Sequence, residues 1–121
     1  MTPVRFVRRA LAFFAAALSA CTTPRDATTA ETVVRVQARR FEFSPARIRV
    51  RASVPTTLEL ASLDVVHGFS IPELGVRAEL VSGHPARVRV LSDRPGELAF
   101  HCDVFCGDGH EDMAGVVEVT P

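Results

Sequence analysis

The 121-residue sequence has no lysine, no tryptophan and no tyrosine, and only three cysteines. Its positive charge is therefore all arginine, which we read as compositional bias without functional weight. Nor is there an excess of either sign, since 14 arginines balance 14 aspartates and glutamates. That balance hides an asymmetry: Arg5, Arg8 and Arg9 stand where there is no acid, and every acid lies from Asp26 onward. Without residues 1-20, 11 arginines face 14 acids, a net of −3. A nucleic-acid footprint needs clustered basic residues in excess, so no nucleic-acid partner is expected. A long apolar run is missing too. Ala10 to Leu18 is apolar, but crossing a bilayer takes about 20 such residues. No segment keeps a helical period and no internal repeat is present, which argues against helical bundles and solenoids. With 47% hydrophobic and 23% charged residues, the chain has globular composition and room for one domain.

The first residues are organised for export. A basic start through Arg9 leads into the apolar run and then into small residues, the pattern of a signal peptide. The junction Leu18-Ser19-Ala20-Cys21 resembles the bacterial lipobox. That resemblance implies cleavage after residue 20 and lipidation of Cys21, giving an extracytoplasmic, membrane-anchored lipoprotein; whether the membrane is inner or outer is left open. More than one acyl chain anchors a protein far better than a single chain. Residues 21-32 are polar, small and interrupted by Pro24, which reads as a flexible tether.

From Val33 the texture changes. Short alternations of apolar and polar residues recur at Val33–Val36, Phe41–Phe43, Ile48–Val50, Leu58–Leu60, Val88–Val90, Leu98–Phe100 and Val116–Val119. Period-two runs of this length are strands. Ser44-Pro45, Ser53-Val-Pro55, Ser82-Gly-His-Pro85 and Asp93-Arg-Pro-Gly96 separate them as turns. About seven short strands in residues 33-121 predict an all-β sandwich.

The chemistry is concentrated in Cys102-Asp-Val-Phe-Cys-Gly-Asp-Gly-His-Glu-Asp-Met113. Two thiols, an imidazole and a thioether occupy a loop between two predicted strands. Soft sulfur donors combined with imidazole select copper, whereas hard oxygen sets select magnesium or calcium. A further ligand has to come from elsewhere. His67, in Asp64-Val-Val-His-Gly-Phe69 and at the start of a predicted strand, is the best candidate. A Cys102–Cys106 disulfide is the competing reading in an oxidising compartment, but it leaves the intervals to His67, His110 and Met113 unexplained.

At this point the sequence resembles the CuA cupredoxin domain shared by subunit II of haem-copper oxidases and the C-terminal part of nitrous oxide reductase. Phe41-Glu-Phe-Ser-Pro45, Val66-His-Gly-Phe69, Arg94-Pro-Gly96 and the ligand loop carry the resemblance, across residues 33-121. It implies a cupredoxin-like Greek-key β-sandwich holding two copper ions as a dinuclear CuA centre. Its implied ligands are His67, Cys102, the Val104 backbone carbonyl, Cys106, His110 and Met113, and its implied role is electron transfer. The second cysteine separates this pattern from a mononuclear blue-copper loop, which needs one.

Implied partners are a c-type cytochrome or cupredoxin as donor and a haem-copper oxidase or reductase subunit as acceptor. The sequence departs from the family at Val104, where members often carry Glu. Members' aromatic electron-entry patch has no Trp or Tyr here, leaving Phe105 or His101 for that surface. With no transmembrane hairpin in the sequence, the expectation is a free-standing, tethered domain. A periplasmic copper chaperone or sensor on the same scaffold is the alternative function.

The remaining polar residues have plainer readings. His84 lies in a turn and is expected to be solvated. Strand alternation turns His101 away from the site. Asp64 is either a hydrogen-bond partner within the His67 loop or a solvated acid. Asp103, Asp108, Glu111 and Asp112 are expected in solvent, where together they could steer a basic partner.

Overall fold

A computed structural model describes residues 30–121, together with Ala17, Ala20 and Cys21. The expected signal peptide and most of the tether lie outside the described residues.

Nine strands follow in order: β1 Thr32–Arg39, β2 Glu42–Ser44, β3 Arg47–Arg51, β4 Thr56–Ser62, β5 His67–Ile71, β6 Val76–Leu80, β7 Ala86–Val90, β8 Gly96–His101 and β9 Ala114–Thr120. Among the described residues the only helices are single 3-10 turns at Pro72–Leu74 and His110–Asp112. Two of these strands exceed the sequence expectation. β5 was anticipated only where it begins, at His67, and β6 was not anticipated. β1 also starts at the last residue of the expected tether, with Thr32 already opposite Thr56. Just before it, the Glu31 carboxylate accepts a hydrogen bond from the Thr57 hydroxyl.

The strands form two sheets, β2-β1-β4-β7 and β3-β9-β8-β5-β6. β1 runs parallel to β4 and β3 parallel to β9, while the other pairs are antiparallel. Alternation explains which residues face inward. In β3, Ile48 and Val50 are buried between exposed Arg47, Arg49 and Arg51. Outward positions are joined across strands: Glu59 of β4 meets Arg35 of β1 at 3.5 Å and Arg87 of β7 at 2.8 Å. On the other sheet Arg47 reaches Glu97 at 2.8 Å and Glu118 at 3.2 Å. A one-residue slip would bury these charges, so the ladders help fix register.

Between the sheets lie Val36, Leu58, Leu60, Ile71, Leu80, Val90, Val117 and three phenylalanines. Phe43, Phe69 and Phe100 meet in one cluster, with ring centroids 4.9 to 5.8 Å apart. Burying each such ring contributes roughly 1.5–3 kcal/mol. The cluster also sets the floor of the site. His67 is two residues before Phe69 and Cys102 two after Phe100, so the strand period turns both toward the same interior.

Candidate metal centre

His67 opens β5 and is completely buried. Cys102 follows β8, Met113 directly precedes β9, and both are buried together with Cys106. The loop between them is closed at its neck, where the Cys102 N–H donates to the Met113 carbonyl at 3.0 Å.

All six expected ligand positions come together. The Cys102 and Cys106 sulfurs are 3.8 Å apart and unlinked. His67 Nδ1 lies 4.0 Å from Cys102 Sγ, and His110 Nδ1 lies 3.7 Å from Cys106 Sγ. Met113 Sδ stands 3.8 Å from Cys106 Sγ, and the Val104 carbonyl oxygen 3.1 Å from Cys102 Sγ. The His67, Cys102 and Cys106 donor atoms all fall within 4.8 Å of one another. Metal–sulfur bonds near 2.3 Å in a tetrahedral shell set donors about 3.8 Å apart. The cluster therefore has the dimensions of a metal site, and its donors suit a soft ion.

Several contacts hold these donors in place. Asp64 Oδ1 is 2.7 Å from His67 Nε2. An ionised carboxylate there accepts the Nε2 proton and leaves the Nδ1 lone pair facing the sulfurs. Of the two readings for Asp64, hydrogen bonding within the His67 loop is the one observed. Burial pushes the Asp64 carboxyl up, but donors from Arg40, His67 and Val65 outweigh it and hold it at about 2, against an ordinary 3.8.

Burial first, then the neighbouring Cys102 sulfur, push the Cys106 thiol up to about 11 from 9.0. Binding a metal ion at Cys106 thus displaces a proton. The Gly68 N–H points to Cys102 Sγ at 3.4 Å. A Cβ on Gly68 would sit 2.9 Å from the main-chain nitrogens of Asp103 and Val104 and overlap the Asp103 side chain. Only glycine lets the loop lie this close to β5.

The surroundings differ in part from expectation. His84 and His101 are exposed, as anticipated. Asp103 is not a free solvated acid: its carboxylate pairs with Arg77 of β6 at 2.5 Å. The β5–β6 register places Arg77 opposite Ser70, whose other neighbour is His101. Sequence reasoning also missed the turn after β1. Arg40 Nε donates to the Cys106 carbonyl at 2.9 Å, and its N–H donates to Asp64 Oδ2 at 2.8 Å. Phe41 covers Gly107 and Gly109, where a Cβ would stand 3.1 and 2.6 Å from its ring. Nothing in the local sequence signals contacts spanning so many residues. Outside the cluster, Phe105 is 75% exposed with its ring 5.7 Å from that of His110.

A two-sheet β-sandwich with a buried set of sulfur and imidazole donors at one end defines a class: a small β-sandwich with a soft-metal site in its end loops. The cupredoxin-like domain family model matches residues 10–118, and the chain belongs to that family. It is 34% identical over 86 residues to cytochrome c oxidase subunit 2 of Thermus thermophilus, covering 71% of this chain and 64% of that protein. The chain thus spans under two thirds of that relative's length.

Its fold is also that of the periplasmic domain of subunit II of cytochrome oxidase from Bradyrhizobium japonicum. There the TM-score is 0.69 at 14% identity, over 74% of this chain and 83% of that one. A heme-copper terminal oxidase dimer solved by cryo-electron microscopy gives a TM-score of 0.67 at 24% identity, over 78% and 68% of the two chains. The expected cupredoxin-like sandwich is therefore the observed fold.

Proposed function

We propose that this chain holds two copper ions between Cys102 and Cys106 and passes single electrons, as a lipid-tethered module like subunit II of a respiratory oxidase. The observation that carries this reading is the donor count. Two four-coordinate ions held by both sulfurs would need four further donors, and His67, His110, Met113 and the Val104 carbonyl would supply four. A tetrahedral zinc site would need only four donors in all and no thioether.

The chemistry such a centre would supply is one-electron transfer at low reorganisation, with Cys102 and Cys106 holding it. The protein's part is to hold that geometry. Asp64 fixes the His67 tautomer, Gly68 lets the loop seat against β5, and the phenylalanine cluster beneath keeps water out. Exposed Phe105 beside His110 offers the contact face for an electron donor, a c-type cytochrome or cupredoxin. The acceptor is a haem-copper oxidase or reductase subunit, in keeping with the relatives' names. Cys21 carries the lipid anchor in this reading, with the domain on the periplasmic side.

The test is to load the purified protein with copper and measure stoichiometry and electron spin resonance. Two coppers per chain, a purple colour and a multi-line spectrum are expected. One copper with a blue-copper spectrum would sink the dinuclear centre. Rapid release of that copper to a chelator or apo partner would favour a copper chaperone over an electron conduit. Replacing Cys21 by Ala should free the protein from membranes, and a variant that stays membrane-bound removes the lipid anchor from this reading.

A further inference from the structure

The turn Arg40-Phe41, between β1 and β2, contributes none of the six donors, yet it touches both segments that supply the two cysteines and the buried histidine. Its main-chain N–H holds Asp64 Oδ2 at 2.8 Å, while Asp64 Oδ1 holds the ring of His67 at 2.7 Å. Its guanidinium Nε holds the carbonyl of Cys106 at 2.9 Å. Phe41 closes the same wall by lying over Gly107 and Gly109. Two loops far apart in sequence are thus joined through one residue.

Arg40 differs from the other arginine at the site. Arg77 is paired with Asp103 at 2.5 Å, so its charge is largely cancelled. The Arg40 guanidinium is in no salt bridge among the described residues. It presents a net positive charge beside the peptide of Cys106. A nearby cation favours whichever oxidation state carries less positive charge.

We propose that Arg40 is a positioning residue for the metal centre: its side chain fixes the Cys106 peptide and its charge raises the reduction potential. The inference rests on the copper reading above and assigns a role to a residue outside the ligand set. Two effects are separable. Arg40→Met removes both the donor and the charge. Arg40→Lys keeps the charge but cannot present the Nε–H to the same carbonyl.

The experiment compares copper-loaded wild type, Arg40→Met, Arg40→Lys and Arg89→Met. Arg89 lies opposite Thr57 near the start of β4, the end of the sandwich remote from the site. Reduction potential by titration and copper loss to a chelator are the readouts, with circular dichroism of each apo protein as the folding check. Arg40→Met should have a lower potential than wild type and lose copper about tenfold faster, the lower end of effects seen for groups that orient metal ligands. Arg40→Lys should keep the wild-type potential while still losing copper faster. Arg89→Met should match wild type in both.

An Arg40→Met protein that matches wild type, or shifts no further than Arg89→Met, overturns the assignment. If Arg40→Met does not fold, Arg40→Lys decides: unchanged copper loss overturns the proposal and faster loss supports it. A wild-type protein that takes up no copper sinks the copper reading and this inference together. Loading by wild type with no response at Arg40 removes this inference alone.

Discussion

Charged groups occur in two settings in this molecule, and they do different work. On the sheet faces, arginines and glutamates pair across strands in solvent, as in Arg35–Glu59–Arg87 and Arg47–Glu97–Glu118. At the loop end, Asp64, Arg40 and Arg77 each bond to a segment that carries a candidate ligand, Arg77 through Asp103 of the ligand loop. The ladder pairs are screened and nearly interchangeable, and exposed pairs of this kind contribute about 0–1 kcal/mol each. The pairs at the loops act through geometry, since moving one displaces a donor atom. Similar charged side chains are thus structural texture in one place and alignment in the other.

Four substitutions test that difference, beginning with the largest effect. Cys102→Ser should abolish the proposed two-copper centre, read as copper per chain, while the apo fold melts close to wild type. A variant that still bound two coppers would remove the sulfur bridge from the account. Asp64→Asn should weaken copper binding by about 10–100-fold, because a neutral amide has one acceptor oxygen to offer where the carboxylate serves both His67 and the Arg40 N–H; competition with a chelator measures this.

The same residue gives a pH signature. Its carboxyl is held at about 2 when folded against 3.8 ordinarily. Its contribution is therefore present above pH 3.8 and lost as the pH falls through 2. Acid unfolding of wild type should steepen across that window and be flatter in Asp64→Asn.

Gly68→Ala should cost about 1–3 kcal/mol by overpacking against Asp103 and Val104, with a disturbed copper spectrum. Unchanged thermal stability would show that the loop has room to move. Glu59→Gln, which loosens two ladder pairs at once, should cost under about 1 kcal/mol and leave copper binding untouched. A Glu59→Gln variant with altered copper affinity would dissolve the distinction between the two settings.

The sequence disclosed the parts of the molecule that follow a local rule. β3 and β7 alternate strictly, and their buried residues could be read directly. β5 could not, because Gly68 between His67 and Phe69 is covered by the ligand loop, so both strand faces are buried and the alternation disappears. β6 alternates in space, with Val76 and Ala78 turned inward, but Ala and Glu are poor strand formers and give it a weak signature. The donor cluster was legible because five of its six members lie within twelve residues. Its supports were not. Arg40 reaches the loop from the other sheet and Arg77 from the edge strand of the loop's own sheet, and no spacing rule connects them to it before the register is known.

The parallel pairing of β3 with β9 bears on the order in which the protein is made. Met113 stands immediately before β9, and β9 is placed between β3 and β8. A chain still emerging from the ribosome, or still threading through a membrane, has neither its thioether donor nor the strand that joins the two halves of that sheet. Pairings between distant segments form slowly compared with local ones. On the copper reading, metal uptake therefore reports closure of the second sheet: the full donor set exists only once Met113 has been made and β9 has paired with β3 and β8.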